Sequence, residues 1–391
     1  MSKHHSTHSL AIWPTLPLDV HFRTPSQWRP FPLDREDCRI YSLARHAIWN
    51  ACRAVGLGED DIILVPAYHH GSEIEALLQA GLQILYYEVT DDLEPDPVQL
   101  QSILNSHVRA LYLIHYLGFP QRAAFWRQWC DDHHLLLIED AAQAFLATID
   151  QQPLGSFGHM GVFCLYKTYG LPDGGAVISF QPPPPPATKT KNGLWKVFKR
   201  HVNFIAARNN LIGLMHLKLK PRVTQWNRKW NVIRGKLHKE FELGDPERPP
   251  SAMTTRLLPL LVNEKTAARR RENYRFLLRH LGDLVPAPFA SLPEGACPFA
   301  FPIKVAETRT FLNQIRSKGI MGLLFWLNPH PSLPVEDFQK SRALRERVVA
   351  LPVHQELTLF DLQQIVDVVQ EVYNQQPSVV NLPEMVFSQP K

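Results

Sequence analysis

Short apolar runs alternate with segments of helical periodicity between residues 42 and 180. Apolar residues at three- and four-residue intervals predict a first helix, with Ser42 as its N-cap and Gly56 as its end. The positions that carry this pattern are Leu43, Ala47, Ile48, Ala51 and Val55. Similar reasoning predicts helices at 72–79, 98–104 and 123–133, and strands at 61–66, 83–87, 110–115, 135–138, 162–165 and 176–179.

The predicted strands are continuous apolar runs rather than alternating ones. This pattern is typical of a mainly parallel sheet that helices cover on both faces, so the chain is predicted to have an α/β fold. Ligands of such sheets bind at the carboxyl ends of the strands. The polar segments predicted there are 66–70, 115–118, 139–140 and 166–167.

A chain of 391 residues is long enough for a large domain and a smaller one. Five prolines follow Gln181 and form a predicted semi-rigid spacer, and later helices are predicted at 263–281 and 359–373. The predicted organisation is an N-terminal arm at 1–30, a large domain at 31–180, a basic insert at 181–240, a smaller α+β domain at 241–375 and a loose tail at 376–391.

Composition narrows the class of protein. The apolar (45%) and charged (20%) fractions are ordinary for a globular protein, and no apolar run is long enough to span a membrane. The N-terminus lacks the pattern of a secretory signal, and the five cysteines are scattered singly, so we expect a cytoplasmic protein. Many of the eighteen histidines occur in pairs without metal-ligand spacing, so no metal site is predicted.

Charge is concentrated in the insert. Residues 181–239 contain 14 Lys and Arg but no Asp or Glu, whereas the rest of the chain has 28 basic and 37 acidic residues. The insert could form a subunit-interface arm that helps to bind anions, or its 189–220 segment could contact an anionic membrane surface. No nucleic-acid-binding motif occurs, so nucleic acid is not an expected partner.

Two strand-end residues are candidates for chemistry. Asp140 follows a buried apolar strand, where a carboxylate is costly unless a positive group pairs with it. The simpler interpretation is that it caps the next helix. Lys167 follows another strand and precedes a Pro-Asp-Gly-Gly turn, so a semi-buried pocket could make its amine a nucleophile towards aldehydes.

Together, six segments resemble the DegT/DnrJ/EryC1/StrS aminotransferases, pyridoxal-phosphate (PLP) enzymes of fold type I that mostly act on nucleotide-linked keto-sugars. The resemblance is carried, in family order, by VPAYHH (65–70), HYLGFP (115–120), IEDAAQ (138–143), LGSFG (154–158), VFCLYK (162–167) with its following turn, and LPVHQEL (351–357). Ordered matches along the chain are more specific than any single motif.

The resemblance implies the site residues. Lys167 matches the lysine that forms an imine with PLP, and Asp140 matches the carboxylate that keeps the pyridine nitrogen protonated. Gln143 matches the side chain at the cofactor's 3-hydroxyl, and His70 falls at the position that stacks on the ring. The remaining positions implied to bind the cofactor, through its phosphate, are Cys164, Ser42, Ala44 and Arg45.

Some residues depart from the family pattern. Cys164 is a poorer hydrogen-bond donor than the usual serine, Ala44 replaces a glycine, and His159 replaces an aspartate. These departures weaken the assignment of a sugar substrate. Arg45 could compensate by pairing with phosphate directly.

The resemblance implies a homodimeric aminotransferase that takes its amino group from an amino acid, with glutamate as the implied donor, and passes it to a keto substrate such as a nucleotide-linked keto-sugar. Candidate substrate residues in the second domain are Trp326, Asn328 and His330. Two alternatives stay open. The chain could be a catalytically weak scaffold or membrane-peripheral partner, or a PLP enzyme of another reaction type such as dehydration, although the retained Lys167 argues against dehydration.

Overall fold

The computed structural model describes residues 8–209 and 240–375. Its strands are β1 (Leu10–Ala11), β2 (Arg39–Tyr41), β3 (Ile62–Pro66), β4 (Gln83–Tyr87), β5 (Val108–Ile114), β6 (Leu136–Asp140), β7 (Thr148–Ile149), β8 (Gln152–Pro153), β9 (Met160–Cys164), β10 (Gly175–Ser179), β11 (Ala300–Lys304), β12 (Ile320–Met321), β13 (Leu323–Leu324) and β14 (Val348–Pro352).

The α-helices are α1 (Ala44–Ala54), α2 (Ser72–Gln79), α3 (Pro97–Ile103), α4 (Ala123–Asp132), α5 (Leu165–Thr168), α6 (Leu194–Ala206), α7 (Ala252–Leu261), α8 (Lys265–Leu281), α9 (Thr308–Ser317), α10 (Gln339–Arg347) and α11 (Leu359–Asn374). Short 3₁₀ helices occupy Leu18–Phe22, Tyr116–Gly118, Gly282–Leu284, Ala287–Phe289 and Val335–Asp337. In the described part of the chain, no helix is both long and apolar enough to cross a membrane.

Seven strands form the central sheet, in the order β2-β10-β9-β6-β5-β3-β4. The pairs β3–β4, β3–β5, β5–β6 and β6–β9 are parallel, and β10 runs antiparallel to both of its neighbours. Leu111, Leu137 and Val162 on its inner strands are at most 1% exposed, because both faces are covered. The predicted α/β architecture with a mainly parallel sheet is confirmed.

Strand register aligns the ends of the inner strands. Ile114 of β5 pairs with Asp140 of β6, and Asp140 pairs with Val162 of β9. Because parallel strands end at the same edge, the residues that follow β5, β6 and β9 meet on one side of the sheet.

The start of α1 differs from the prediction. Its N-cap is Leu43, which makes no side-chain capping bond, so the prediction of Ser42 as the cap is wrong. The physical reason is that the Ser42 hydroxyl is within hydrogen-bond distance of His46 Nδ1 (3.0 Å) and is buried beside it. The side chain therefore does not turn back to the helix amides.

The first described residues pack against the C-terminal part of the chain. Strand β1 pairs in parallel with β12, and Leu10, Leu16 and Val20 are fully buried. The local sequence has no periodicity that predicts this strand, whose partner lies about three hundred residues away in the sequence. Residues 1–7 of the predicted arm lie outside the described residues.

The last third of the chain contains a second, antiparallel sheet in the order β11-β14-β13. Helix α7 was not predicted. It is capped at Ser251, whose hydroxyl accepts a hydrogen bond from Thr254 N–H, and it contains Pro259, which obscures its periodicity. The division into a large domain at 31–180, an insert at 181–240 and a smaller domain at 241–375 remains a proposal.

The basic insert is described as far as residue 209. Its helix α6 was not predicted as a separate element. Residues 210–239, which include the end of the 189–220 segment considered for membrane contact, lie outside the described residues, as does the predicted tail at 376–391.

Candidate active site

A cavity of about 470 Å³ lies at the carboxyl edge of the central sheet. It receives Ile114, Asp140 and Cys164, the last residues of β5, β6 and β9. The other predicted site residues that line it are Ala44, Arg45, His70, Gln143 and Lys167. Apart from Ile114, all of these residues were predicted as catalytic or cofactor-binding. Of the residues predicted in those two roles, only Ser42 does not line the cavity.

Asp140 is buried at the inner end of this cavity. Its Oδ2 accepts a hydrogen bond from the Tyr112 hydroxyl (2.8 Å), and its Oδ1 accepts one from Ala142 N–H (2.8 Å). Burial, with a further contribution from the charge of Glu73, raises the pKa of Asp140, whereas the charge of Lys167 opposes the shift. The carboxylate is thus held in place, and within residues 8–209 and 240–375 no cationic side chain bonds to it directly.

Lys167 belongs to the one-turn helix α5, which directly follows β9. Its Nζ lies 5.9 Å from the centre of the Phe299 ring. Since Lys167 and Asp140 line the same cavity and interact electrostatically, an amine and a carboxylate face one ligand-sized space.

Gln143 lies on the turn after β6. Its amide oxygen accepts a hydrogen bond from Leu117 N–H (2.8 Å), and the residue is only 6% exposed. This bond fixes the side-chain orientation, so its amide NH₂ is the polar group available to a ligand.

His70 lines the outer part of the cavity. Its Nδ1 is within hydrogen-bond distance of the Ser72 hydroxyl (3.2 Å), and its Nε2 lies 3.4 Å from a carboxylate oxygen of Glu240. Its ring meets Phe241 edge-on, with ring centres 6.1 Å apart. The imidazole is therefore oriented by contacts from both sides.

The N-terminus of α1 also lines the cavity. A Cβ atom on Gly175 would lie 2.2 Å from the Ala44 nitrogen, so only glycine lets β10 approach the helix start this closely. Helix N-termini present free N–H groups to anions, and here no side chain caps them. Arg45 adds a guanidinium, which donates to the carbonyl of Glu242 (2.8 Å).

Cys164 ends β9 beside this helix. Burial is the main cause that raises the pKa of its thiol, so the group stays protonated and acts as a weak donor. Ser42 is buried against His46 behind the cavity wall. The structure thus brings Ala44, Arg45 and Cys164 together, but not the Ser42 hydroxyl.

The last third of the chain contributes two of the three candidate substrate residues to the cavity. Trp326 and Asn328 line the cavity, whereas His330 is turned away. His330 Nε2 lies 3.1 Å from Glu75 Oε2, and its Nδ1 lies 2.7 Å from the Ser332 hydroxyl. These contacts hold the imidazole between α2 and the following loop.

Sequence reasoning missed several lining residues: Trp13, Ser72, Glu73, Glu240, Phe241, Phe299, Arg316, Phe325 and Leu327. Trp13 packs against Phe299 with ring centres 5.3 Å apart. No local pattern marks Trp13, since its segment is irregular and reaches the site only through the pairing of β1 with β12. An aromatic residue in an apparently structureless N-terminus was the available signal.

The cavity has the groups that a PLP molecule requires. An amine, a buried carboxylate, the α1 N-terminus and Arg45 line the same cavity. A flat ring with a protonated nitrogen would supply the cation that Asp140 lacks. An anionic tail would meet the free amides of α1. The donor set therefore fits the cofactor that the resemblance implies.

The architecture is the α/β fold of the fold-type-I PLP enzymes. Solved structures with the same fold include the aminotransferase TlmJ from Streptoalloteichus hindustanus (17% identity, TM-score 0.63, covering 93% of this chain and 98% of that one). Another is PseC from Helicobacter pylori, an aminotransferase involved in pseudoaminic acid biosynthesis (16% identity, TM-score 0.63, covering 94% and 99%). At these identities the likeness shows the fold alone.

Residues 41–183 match the DegT/DnrJ/EryC1/StrS aminotransferase family, which confirms the resemblance over that segment. Curated relatives include a GDP-perosamine synthase of Vibrio cholerae, 26% identical over 34% of this chain and 37% of the relative. A UDP-N-acetyl-3-dehydro-alpha-D-glucosamine 3-aminotransferase of Acidithiobacillus ferrooxidans is 29% identical over 34% and 37%. The matched part thus spans little more than a third of these relatives. The segment 41–183 that matches the family contains Asp140 and Lys167.

Proposed function

We propose that the chain is a PLP-dependent aminotransferase that moves an amino group from an amino acid to a nucleotide-linked keto-sugar. The observation that carries this proposal is the pair Asp140 and Lys167 on one cavity at the carboxyl edge of the sheet. The names of the relatives support the acceptor class, since they are synthases and aminotransferases of nucleotide sugars. Glutamate is the donor that the family resemblance implies.

Each retained residue has a role in this proposal. Lys167 would hold the cofactor covalently through Nζ, Asp140 would hold the proton on its ring nitrogen, and Gln143 would donate to its 3-hydroxyl. When bound, PLP supplies an electron sink for the negative charge that develops at the substrate carbon. Arg45 and the α1 amides would bind its phosphate.

Proton transfer falls to Lys167. Lys167 Nζ would be the basic group that accepts a proton from the substrate carbon and returns it. Phe299 and Trp13 form an aromatic wall beside this amine. Their apolar faces limit the access of water to the amine.

A two-stage spectroscopic experiment tests the proposal. Purified protein loaded with PLP should be yellow, lose that colour with glutamate and recover it with a keto acid. With ¹⁵N-labelled glutamate, the label should then appear in the product of a keto-sugar nucleotide. A colourless protein that takes up no PLP would argue against the proposal.

A second candidate function is a scaffold or membrane-peripheral role without efficient catalysis. It is favoured by α6, where Leu194, Trp195 and Phe198 are more than half exposed. Lys199 Nζ lies 5.3 Å from the centre of the Trp195 ring, so aromatic and basic groups share this surface. Co-sedimentation with anionic vesicles that is unchanged by deletion of 189–220 would show that this segment does not mediate membrane contact.

Two further expectations accompany the main proposal. Fold-type-I enzymes usually build their sites across a dimer, so we expect a homodimer, which light scattering can test. All five cysteines are free, which suits the reducing conditions of the cytoplasm, the compartment we propose.

A further inference from the structure

The helix that carries Lys167 is too short to hold itself in place. Helix α5 has only four residues, so its last carbonyl groups have no partners within the helix. Two of these carbonyls belong to Lys167 and Thr168. Both accept hydrogen bonds from a side chain that reaches them from another helix.

That side chain is Arg270 of α8, which is 1% exposed. Its Nη2 donates to the carbonyl oxygens of Lys167 (3.2 Å) and Thr168 (2.9 Å), and its Nη1 donates to the carbonyl of Pro298 (3.0 Å). Pro298 directly precedes Phe299, the ring beside Lys167 Nζ. One guanidinium therefore fixes both the backbone of the lysine and the wall that its amine contacts.

A second side chain completes this arrangement. Gln355 accepts a hydrogen bond from Arg270 Nε (2.8 Å) and donates one to the Thr168 carbonyl (2.9 Å). Gln355 belongs to the segment 351–357, so the late sequence signature meets the Lys167 segment through Arg270. Four of the five N–H groups of the guanidinium have carbonyl or amide oxygens as partners.

Arg270 is not held there by charge pairing. Within residues 8–209 and 240–375 it forms no ion pair, and burial lowers the pKa of its guanidinium. A buried cation without a bonded carboxylate is costly, so a purely structural purpose would be served better by a neutral side chain. The planar guanidinium can donate to several carbonyl groups at once, which a lysine side chain cannot do in the same geometry.

We propose that Arg270 is a positioning residue for the transamination reaction, which sets the direction from which Lys167 Nζ reaches the cofactor and the substrate carbon. This inference rests on the proposed function. Arg270 acts through the backbone of Lys167 and through Phe299, and Gln355 supports it. Loss of these bonds lets α5 rotate, so Nζ leaves the position from which it transfers protons.

The test uses full-length protein loaded with PLP, comparing wild type with Arg270→Lys and Gln355→Leu. Arg345→Lys is the matched control, because Arg345 is equally buried and also donates to carbonyl groups, those of Ala67, His69 and Trp326, rather than to that of Lys167. The readouts are the pH midpoint of the visible absorption of the bound cofactor, the rate of its reduction by borohydride, and kcat and KM for the donor.

We expect Arg270→Lys to move the pH midpoint by about half a unit or more and to lower kcat by about 10- to 100-fold, with KM changed by less than about 3-fold. Gln355→Leu should act in the same direction but more weakly. Arg345→Lys should leave the pH midpoint in place. If Arg270→Lys does not fold, Gln355→Leu decides the question by the same readouts.

Two failures can be told apart. A wild type that forms no borohydride-stable bond to Lys167 would overturn the proposed function. The positioning role of Arg270 alone would be overturned if the wild type forms this bond but the pH midpoint and kcat are unchanged in Arg270→Lys and Gln355→Leu, or are shifted equally in Arg345→Lys.

Discussion

Two sets of predicted site residues differ in how closely they keep the family's pattern. Among the reaction residues, Lys167 and Asp140 are both retained. Among the predicted phosphate-site residues, Ala44 and Cys164 replace the usual glycine and serine, and the Ser42 hydroxyl is turned towards His46. The difference shows which requirements are strict.

A covalent bond to one amine and a proton on one ring nitrogen each need a particular atom at a particular place. An anion has no such requirement, because helix amides, a guanidinium or a hydroxyl can all bind it. The phosphate-site residues still include the guanidinium of Arg45 and the N-terminus of α1, which no side chain caps. We therefore expect substitutions of the reaction residues to remove most of the activity. Substitutions of the phosphate-site residues should instead change the affinity for the cofactor by graded amounts.

Lys167→Ala should have the largest effect. Without the amine, neither covalent attachment nor proton transfer at the substrate carbon is possible, so kcat should fall by about 10³-fold or more. Loss of the visible absorption of the bound cofactor provides a second readout. A variant that retained a tenth of the wild-type rate would contradict the claim that Lys167 is strictly required.

Asp140→Asn should lower kcat by about 10²- to 10³-fold, because a neutral amide cannot hold the ring nitrogen's proton. Stopped-flow measurement of the half-reaction with glutamate checks this value. Asp140→Glu is the control that keeps the charge but moves it. A rate for Asp140→Asn within about 3-fold of wild type would remove the carboxylate from the mechanism.

The same substitution has a separate effect on the stability of the cofactor-free protein. The folded pKa of Asp140 is raised above 3.8, so the folded state binds this proton more tightly than the unfolded state does. The free energy of unfolding therefore falls as the pH rises through that raised pKa. Cofactor-free Asp140→Asn should lack this contribution, which denaturant unfolding at pH 4 to 7 can measure. An unchanged pH profile would contradict the raised pKa.

Among the phosphate-site substitutions, Arg45→Gln should have an intermediate effect, on the affinity for PLP. It removes a charge-assisted contact to phosphate, typically worth about 1.5–3 kcal/mol, so the Kd for PLP should rise by about 10- to 100-fold while kcat at saturating cofactor stays near the wild-type value. Equilibrium dialysis provides the Kd. A large fall in kcat at saturating PLP would mean that Arg45 also affects the reaction itself and not only cofactor binding.

Cys164→Ser should have the smallest effect and the opposite sign. A hydroxyl is a better hydrogen-bond donor than a thiol whose pKa is raised by burial, so the Kd for PLP should fall by a few-fold. Cys130→Ser, a buried cysteine outside the cavity, controls for the general cost of replacing a buried thiol. Weaker cofactor binding in Cys164→Ser alone would show that the thiol is not a substitute for the family serine.

Much of the sheet was predictable because parallel strands that are buried on both faces leave continuous apolar runs in the sequence. The predicted segment 83–87 matches β4, and 72–79 matches α2. The positions of Asp140 and Lys167 were predictable for a related reason, since each lies at or just after the end of such a run. Strand order then brings them to one edge.

Long-range contacts were not predictable in this way. Trp13 reaches the cavity through the pairing of β1 with β12, and Arg270 reaches Lys167 from a helix about a hundred residues later. Charged helix patterns also conceal a buried arginine, because α8 carries many exposed basic residues around it. Ser42 was misassigned as a cap since nothing local reveals that His46 takes its hydroxyl.

The central claim is that the Lys167 amine and the Asp140 carboxylate serve one PLP molecule. The most direct test is borohydride reduction of the PLP-loaded protein, followed by mass spectrometry of its peptides, in wild type and in Asp140→Asn. We predict the cofactor's mass on Lys167 alone in both proteins, with a lower PLP affinity in the variant. Attachment to another lysine, or no attachment in the wild type, would contradict the account.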